Sequence, residues 1–177
     1  MKPAIFLDRD GVITIESFRI IHPYEIKIMS FVPSCIQDIH KLGYLAIVIT
    51  NQSGIDRGLF TLKDLERSND ILKKKTGIDD IFYCPHHPDF SGKCDCRKPS
   101  IGLINKAISK YEIDMSKSYM VGDRTCDILA GKNAKIKTVL LESGYGKEHL
   151  EQNVEADFYF DNLKDFTTFL INFYKEQ

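Results

Sequence analysis

Ala4-Ile5-Phe6-Leu7-Asp8-Arg9-Asp10-Gly11-Val12-Ile13 runs four apolar residues straight into two carboxylates and a glycine. A short apolar run bounded by a turn signal predicts a strand buried on both faces, as in a parallel sheet. Open α/β sheets bind ligands outside the carboxyl ends of their strands, so acids at this point present charge where a ligand sits. If the chain stays extended, side-chain alternation points Asp8 and Asp10 the same way and turns Arg9 aside as a spacer. Two carboxylates so placed can bind a hard cation, divide nucleophile and acid roles, or both.

Downstream, residues Thr14 to Met29, with His22-Pro23-Tyr24 in their middle, are irregular and predict a loop or small flap. Val32, Ile36, Ile39 and Leu42 follow helical spacing from about Pro33, and Gly43 stands where a C-cap belongs. Tyr44 to Ile49 reads as a second buried strand, ending in Thr50-Asn51-Gln52-Ser53-Gly54. Thr61 is the expected N-cap of a helix that runs to about Thr76-Gly77. Further strands are expected at Ile81–Tyr83, Ser118–Val121, Thr138–Leu141 and Phe158–Phe160, and helices at Ile101–Tyr111, Thr125–Asn133 and Asn162–Tyr174. Strands alternating with helices predict an α/β fold, a Rossmann-like doubly wound parallel sheet with right-handed crossovers. No linker, repeat or low-complexity segment breaks the pattern, so residues 1–177 are expected to form one domain.

The chain has 177 residues, enough for one well-packed α/β domain and short for two. A 43% hydrophobic and 28% charged composition is that of a soluble globular protein. With a net charge of −1 and no basic patch interleaved with aromatics, no nucleic-acid partner is expected. Met1-Lys2-Pro3 leads into an apolar run too short for a signal peptide, and no stretch approaches a membrane span. A cytoplasmic protein is expected, its five cysteines reduced, so that a cluster among them points to metal before disulfide.

In a parallel sheet the polar strand ends converge: Asp8 and Asp10, Thr50 and Asn51, and Asp123 share one edge. Arg97-Lys98, just before a helix, can bring cations to it. Carboxylates for magnesium, a hydroxyl, an amide and a fixed cation suit phosphoryl transfer, where positioning and charge neutralisation do most of the work. One carboxylate attacks phosphorus and the other protonates the leaving oxygen, then takes a proton from water. Magnesium and Lys98 are expected to hold Asp8 ionised and leave Asp10 to carry the proton. Alone, each piece has a plainer reading: Thr50 as a strand-end cap, Lys98 as a solvated surface charge.

Asp8-Arg9-Asp10-Gly11-Val12, Thr50, Lys98 and Gly122-Asp123-Arg124-Thr125-Cys126-Asp127 resemble, in order, the four motifs of the haloacid dehalogenase (HAD) superfamily. The resemblance implies that Asp8 is the nucleophile, Asp10 the general acid/base, and Thr50 and Lys98 the phosphate binders. It implies that magnesium is held by the Asp8 and Asp123 carboxylates and the backbone carbonyl of Asp10. Asp127 fits the second acid of the fourth motif, either touching the metal or orienting its neighbours.

A second constellation, Cys84-Pro85-His86-His87-Pro88 and Cys94-Asp95-Cys96, gathers three cysteines and two histidines in a chain otherwise sparse in both. Thiolates and imidazole suit tetrahedral zinc, and four protein ligands with no open position make a structural site. The residues alone leave His86 and His87 equally eligible. Zinc would pin a loop of little apolar content that ends at Arg97-Lys98, and so position those cations. Cys35 and Cys126 read as ordinary semi-buried helix residues.

This loop, with Arg97-Lys98-Pro99, Gly102, Thr50 to Ile55 and Arg57-Gly58, is similar to the D-glycero-D-manno-heptose 1,7-bisphosphate 7-phosphatase branch. The neighbouring histidinol-phosphate phosphatases share the zinc loop. The similarity implies zinc on Cys84, His86, Cys94 and Cys96, with Asn51, Arg97 and Ser53 at the substrate. It implies a magnesium-dependent phosphatase of a sugar bisphosphate. Departures are Val12 after the glycine, Asp56 where a small residue is usual, Leu103 for methionine, and a short loop between His87 and Cys94. No segment is long enough for a cap domain, so specificity is expected from Phe18–Glu25, Gln52–Phe60 and the zinc loop. The alternatives are histidinol phosphate or another small phosphomonoester as substrate, or an inactive zinc-stabilised binding module, which would need neither Asp8 nor Asp10. A monomer is expected.

Overall fold

A computed structural model describes residues 1–15 and 26–176. The predicted flap, and with it the Phe18–Glu25 specificity loop, falls largely outside the described residues. Among the described residues twelve strands and α-helices follow one another: β1 (Ala4–Leu7), α1 (Val32–Lys41), β2 (Leu45–Asn51), α2 (Leu62–Thr76), β3 (Asp80–Cys84), α3 (Pro88–Ser91), α4 (Gly102–Tyr111), β4 (Tyr119–Gly122), α5 (Thr125–Asn133), β5 (Lys137–Leu141), β6 (Phe158–Phe160) and α6 (Leu163–Lys175). The strands form one six-stranded sheet in the order β3-β2-β1-β4-β5-β6, every neighbouring pair parallel.

That order places a topological switch between β1 and β4. The chain winds outward from β1 through β2 to β3, then returns to lay β4, β5 and β6 on the other side. The crevice outside the carboxyl ends of β1 and β4 is where such sheets hold ligands. The two motifs richest in acid, after Leu7 and after Gly122, are delivered to this point.

The sheet is buried on both faces, which is why β1 reads as an unbroken apolar run. Ile5 and Leu7 pack with Val48, Ile36, Ile39, Phe166 and Leu170 under α1 and α6. Ala4 and Phe6 face the other way, with Ile47, Ile49, Met120, Leu103 and Ala107 under α4 and α5. Local signals agree with these layers. Thr61 caps α2 in a reciprocal box with Asp64, and Gly77 ends that helix at φ +81°. Asn162 caps α6 by accepting from the amides of Lys164 and Asp165.

One boundary differs in a way that matters. β2 does not stop at Ile49: Thr50 pairs with Tyr83 and Asn51 with Cys84, because β3 extends the ladder past the apolar run. The motif residues Thr50 and Asn51 therefore sit on rigid strand instead of loop. Among the described residues no helix is long and apolar enough to cross a membrane.

Candidate active site and metal centres

Asp8 follows β1 directly, and its amide donates to the Val121 carbonyl of β4 at 2.9 Å, which pins the acid at the switch. Lys98, 3% exposed, reaches into the same point. Its ammonium meets Asp8 Oδ1 at 2.9 Å, Asp127 Oδ1 at 2.6 Å and the Ile49 carbonyl at 2.7 Å. Three donors meet three acceptors, so the charge is fully satisfied although buried. Burial alone would lower the lysine pKa, but the Asp127 and Asp8 charges outweigh it and raise it above the usual range.

Asp123, fully buried at the end of β4, completes the group. Its Oδ2 accepts from the Tyr145 amide at 2.8 Å, whereas Oδ1 has no hydrogen-bond partner among the described residues. Burial, with the Asp8 and Asp127 charges, pushes its pKa up to about 8. Asp127 is pushed up to about 6 by burial, with Lys98 opposing and Asp8 reinforcing the shift. One carboxylate oxygen from each of Asp8, Asp123 and Asp127 lies within 4.8 Å of the others. Three acids thus share one ammonium, with one buried oxygen left over. An all-oxygen donor set short of positive charge fits a hard divalent cation. The backbone makes room for it. Gly122 admits the Asp127 side chain where a β-carbon would collide, and Gly11, at φ +84°, does the same for Asp123.

The Asp10 carboxylate is not in this group, and Arg9 is not a spacer. β1 ends at Leu7 and the chain turns, so strand alternation no longer governs residues 8–11. Arg9 is 9% exposed and forks onto its neighbour, Nε donating to Asp10 Oδ1 at 3.0 Å and Nη2 to Oδ2 at 2.9 Å. Thr14 Oγ1 and Gln52 Nε2 each donate to the same carboxylate at 2.9 Å. Burial raises the Asp10 pKa, but the Arg9 charge and these bonds outweigh it and hold the group below the ordinary carboxylate range. In this arrangement both Asp10 oxygens are occupied by donors, which favours the ionised form over the protonated one expected.

The remaining predicted residues divide. Thr50 is buried at the site edge and accepts from Gln52 Nε2 at 3.0 Å. Asn51, expected at the substrate, spends its amide on Lys98: Nδ2 donates to the Lys98 carbonyl at 3.2 Å and Oδ1 accepts from its amide at 3.0 Å. It braces the lysine in this structure. Arg97 Nη1 donates to the His86 carbonyl at 3.2 Å, tying the cation to the cysteine loop. Ser53 lies in the turn after β2, where its carbonyl accepts from the Arg57 amide at 3.2 Å.

Cys84, at the end of β3, with His86, Cys94 and Cys96, forms a second compact group whose donor atoms all fall within 4.8 Å. Individual separations run from 2.9 Å for Cys96 to Cys84 to 3.8 Å for Cys84 to His86 Nδ1. Tetrahedral thiolate ligands of zinc sit about 3.8 Å apart, so this donor set fits that ion. None of the cysteines forms a disulfide. The two imidazoles that the residues alone leave equal are placed apart here. His87 Nδ1 caps α3 by accepting from the Asp89 amide at 3.2 Å, and His86 closes the group. Asp56 joins this loop to the β2–α2 connection, accepting from the His87 amide at 2.7 Å and from the Ser91 hydroxyl.

Sequence reasoning passed over Arg9, Gln52, Thr14 and the segment after β5. There Ser143 Oγ donates to the Gly11 carbonyl at 2.6 Å, and Gly146 donates its amide to the Asp123 carbonyl at 3.1 Å. Arg124 lies over the Tyr145 ring at 3.9 Å. The signal was available, since Ser143-Gly144-Tyr145-Gly146 follows a strand end on the ligand edge.

A parallel sheet with acids and a buried lysine at its switch point is the architecture of the HAD-like hydrolases, and a family model described as HAD-hydrolase-like matches residues 95–166. Relatives cover most of the chain. The D-glycero-beta-D-manno-heptose-1,7-bisphosphate 7-phosphatase of Pasteurella multocida (strain Pm70) is 41% identical over 81% of this chain and 84% of its own. That of Escherichia coli (strain K12) is 36% identical over 92% and 91%. A solved D,D-heptose 1,7-bisphosphate phosphatase from B. bronchiseptica, complexed with magnesium and phosphate, superposes with a TM-score of 0.81 at 27% identity, covering 96% of this chain and 98% of that one. The chain belongs to the family of HAD-like hydrolases that these heptose-bisphosphate phosphatases represent.

Proposed function

We propose that this protein is a phosphatase that removes the 7-phosphate of D-glycero-beta-D-manno-heptose 1,7-bisphosphate, leaving heptose 1-phosphate, through a phosphoaspartate on Asp8. The observation that carries the reading is the convergence of Asp8, Lys98 and Asp123 at the β1/β4 switch, with Asp123 Oδ1 left unpaired. Relatives of that activity covering most of the chain support it and supply the substrate and its anomer.

Asp8 and Asp123, with the Asp10 backbone carbonyl, would hold magnesium, which when bound neutralises phosphate charge as a Lewis acid. Lys98 holds the Asp8 carboxylate in place, and Asp127 anchors Lys98 from the far side. Thr50 offers a hydroxyl to a phosphate oxygen. An Asp8 carboxylate oxygen attacks phosphorus, the bond from phosphorus to the sugar O7 breaks, and a proton from Asp10 goes to that leaving oxygen. Water then attacks phosphorus, its proton passes to Asp10, and the bond to Asp8 breaks to release phosphate. The ionised Asp10 described above takes up a proton from solvent before the first step and is the form that accepts the water proton in the second. Cys84, His86, Cys94 and Cys96 would hold a structural zinc that fixes the Arg97-Lys98 end of their loop. Arg97, Asn51 and Ser53 border the space where the sugar enters. The reading is of a single-domain, uncapped, monomeric enzyme of the cytoplasm.

Phosphate release from heptose 1,7-bisphosphate, fructose 1,6-bisphosphate and histidinol phosphate, with and without magnesium and beside Asp8→Asn, tests this. The heptose is expected to be fastest, with magnesium required and Asp8→Asn inactive. No release from any of the three in magnesium overturns the enzyme reading, and a preference for histidinol phosphate replaces the sugar.

A further inference from the structure

Arg9 stands between the two acids of the motif, and its fork has a consequence for more than Asp10. Nη2 donates at 2.9 Å both to Asp10 Oδ2 and to Gln52 Oε1. A guanidinium can only donate, so the Gln52 atom facing it is the oxygen, and the amide nitrogen faces the other way. From there Nε2 donates to Asp10 Oδ2 at 2.9 Å and to Thr50 Oγ1 at 3.0 Å. Every polar atom of the Gln52 amide is thereby used, and Gln52 is itself buried at 5% exposure. Because Thr50 Oγ1 accepts a hydrogen bond from Gln52, its own proton remains available to donate to another acceptor.

We propose that Arg9 and Gln52 are positioning residues that set, through one chain of hydrogen bonds, both the orientation of the Asp10 carboxylate and the direction of the Thr50 hydroxyl. Arg9 touches no reacting atom. It fixes the amide of Gln52, and Gln52 relays that choice to the acid/base and to the phosphate donor. The inference rests on the roles assigned above to Asp10 and Thr50. It adds that the residue between the motif's two acids works through the second of them.

The test compares Arg9→Met, which fills the same volume without donors, Arg9→Lys, which keeps charge without the fork, and Gln52→Leu. Each is measured on the sugar bisphosphate and on p-nitrophenyl phosphate, whose leaving group needs no proton, and again in an Asp10→Asn background. Arg9→Met should lower kcat on the sugar substrate at least about tenfold, with Arg9→Lys recovering only part. The first-turnover burst of nitrophenol should fall far less. In the Asp10→Asn background Arg9→Met should cost about twofold or less in kcat, because the route through Asp10 is already disabled, and its effect through Thr50 should remain as a rise in KM. Gln52→Leu should lower kcat and also raise KM, since it releases Thr50 as well. If the Arg9 and Asp10 effects multiply, or the burst and the sugar turnover fall together, the proposal is wrong. Should Arg9→Met fail to fold, Arg9→Lys in the same cycle decides by the same criterion. An inactive wild-type protein would instead sink the phosphatase reading, which separates the two failures.

Discussion

Asp80, at the start of β3, lies on the amino edge of the sheet. Its Oδ1 accepts from Lys73 at 3.2 Å and from the Ile81 amide at 3.0 Å, and its Oδ2 from Lys110 at 2.7 Å and Tyr111 at 3.0 Å. Burial raises its pKa, but the bond from Lys110 and its companions outweigh that and lower it. Asp79 and Asp157 on the same edge accept from the amides of Ala46 and Thr138, each at 2.7 Å. Asp123 on the carboxyl edge is the reverse: one oxygen has no hydrogen-bond partner among the described residues, two other acids crowd it, and its pKa is pushed up to about 8. A sequence that can satisfy an acid on one edge and does not on the other has reserved the second edge for a ligand.

The largest effect should separate the edges outright. Asp8→Asn removes the attacking oxygen, and kcat should fall by at least about 10⁴-fold. Asp80→Asn, although it breaks more hydrogen bonds, should leave kcat within about twofold. Comparable losses in steady-state assays would erase the distinction. Next comes the cysteine loop, which shares Lys98 and Arg97 with the carboxyl edge. Cys94→Ala should reduce bound zinc, read by elemental analysis, from about one equivalent to nearly none. It should also lower stability by several kcal/mol, on the order of the folding energy that structural zinc provides. Its effect on magnesium affinity should be smaller than its effect on stability. Third, magnesium should raise the thermal midpoint through Asp123 alone among the contrasted acids. At about 100 times its dissociation constant the gain is about 2.7 kcal/mol. Asp123→Ala should abolish the shift and Asp80→Asn should leave it intact, both read by thermal melts over a magnesium titration.

How far the sequence announced this contrast depends on which group carries the information. Asp8, Thr50 and Asp123 are legible because each is a charged or hydroxylic side chain at the end of an apolar strand, and parallel topology brings such ends together, whereas Lys98 is legible only from its place before a helix. The helix limits at Thr61 and Gly77 are equally plain, since capping is a local matter. Arg9 is misread because alternation is a property of extended strand, and the strand stops at Leu7. The brace that Asn51 gives Lys98 is not legible, because an amide at a strand end can serve substrate or backbone and only the nearness of Lys98 shows the second. His86 and His87 cannot be separated by composition, whereas the short helix at Pro88 takes one of them for its cap. Tyr145 serves Asp123 with its backbone amide, and a backbone amide leaves no mark in side-chain chemistry.

The smallest effect tests the amino edge on its own terms. Asp80 has a folded pKa below its ordinary 3.8, so the folded state binds its proton less readily than the unfolded chain does. Stability then rises with pH across that window: the contribution is complete above about pH 4 and is lost as pH falls through the lowered folded value. Lys110 is well exposed and solvent screens it, so the whole contribution should be no more than about 1 kcal/mol. Asp80→Asn should therefore lower the urea midpoint slightly at pH 7, and the gap between variant and wild type should close below about pH 4. A gap that persists in acid would mean that Asp80 contributes packing and not charge. The contrast between a satisfied acid and an unsatisfied one would then rest on Asp123 alone.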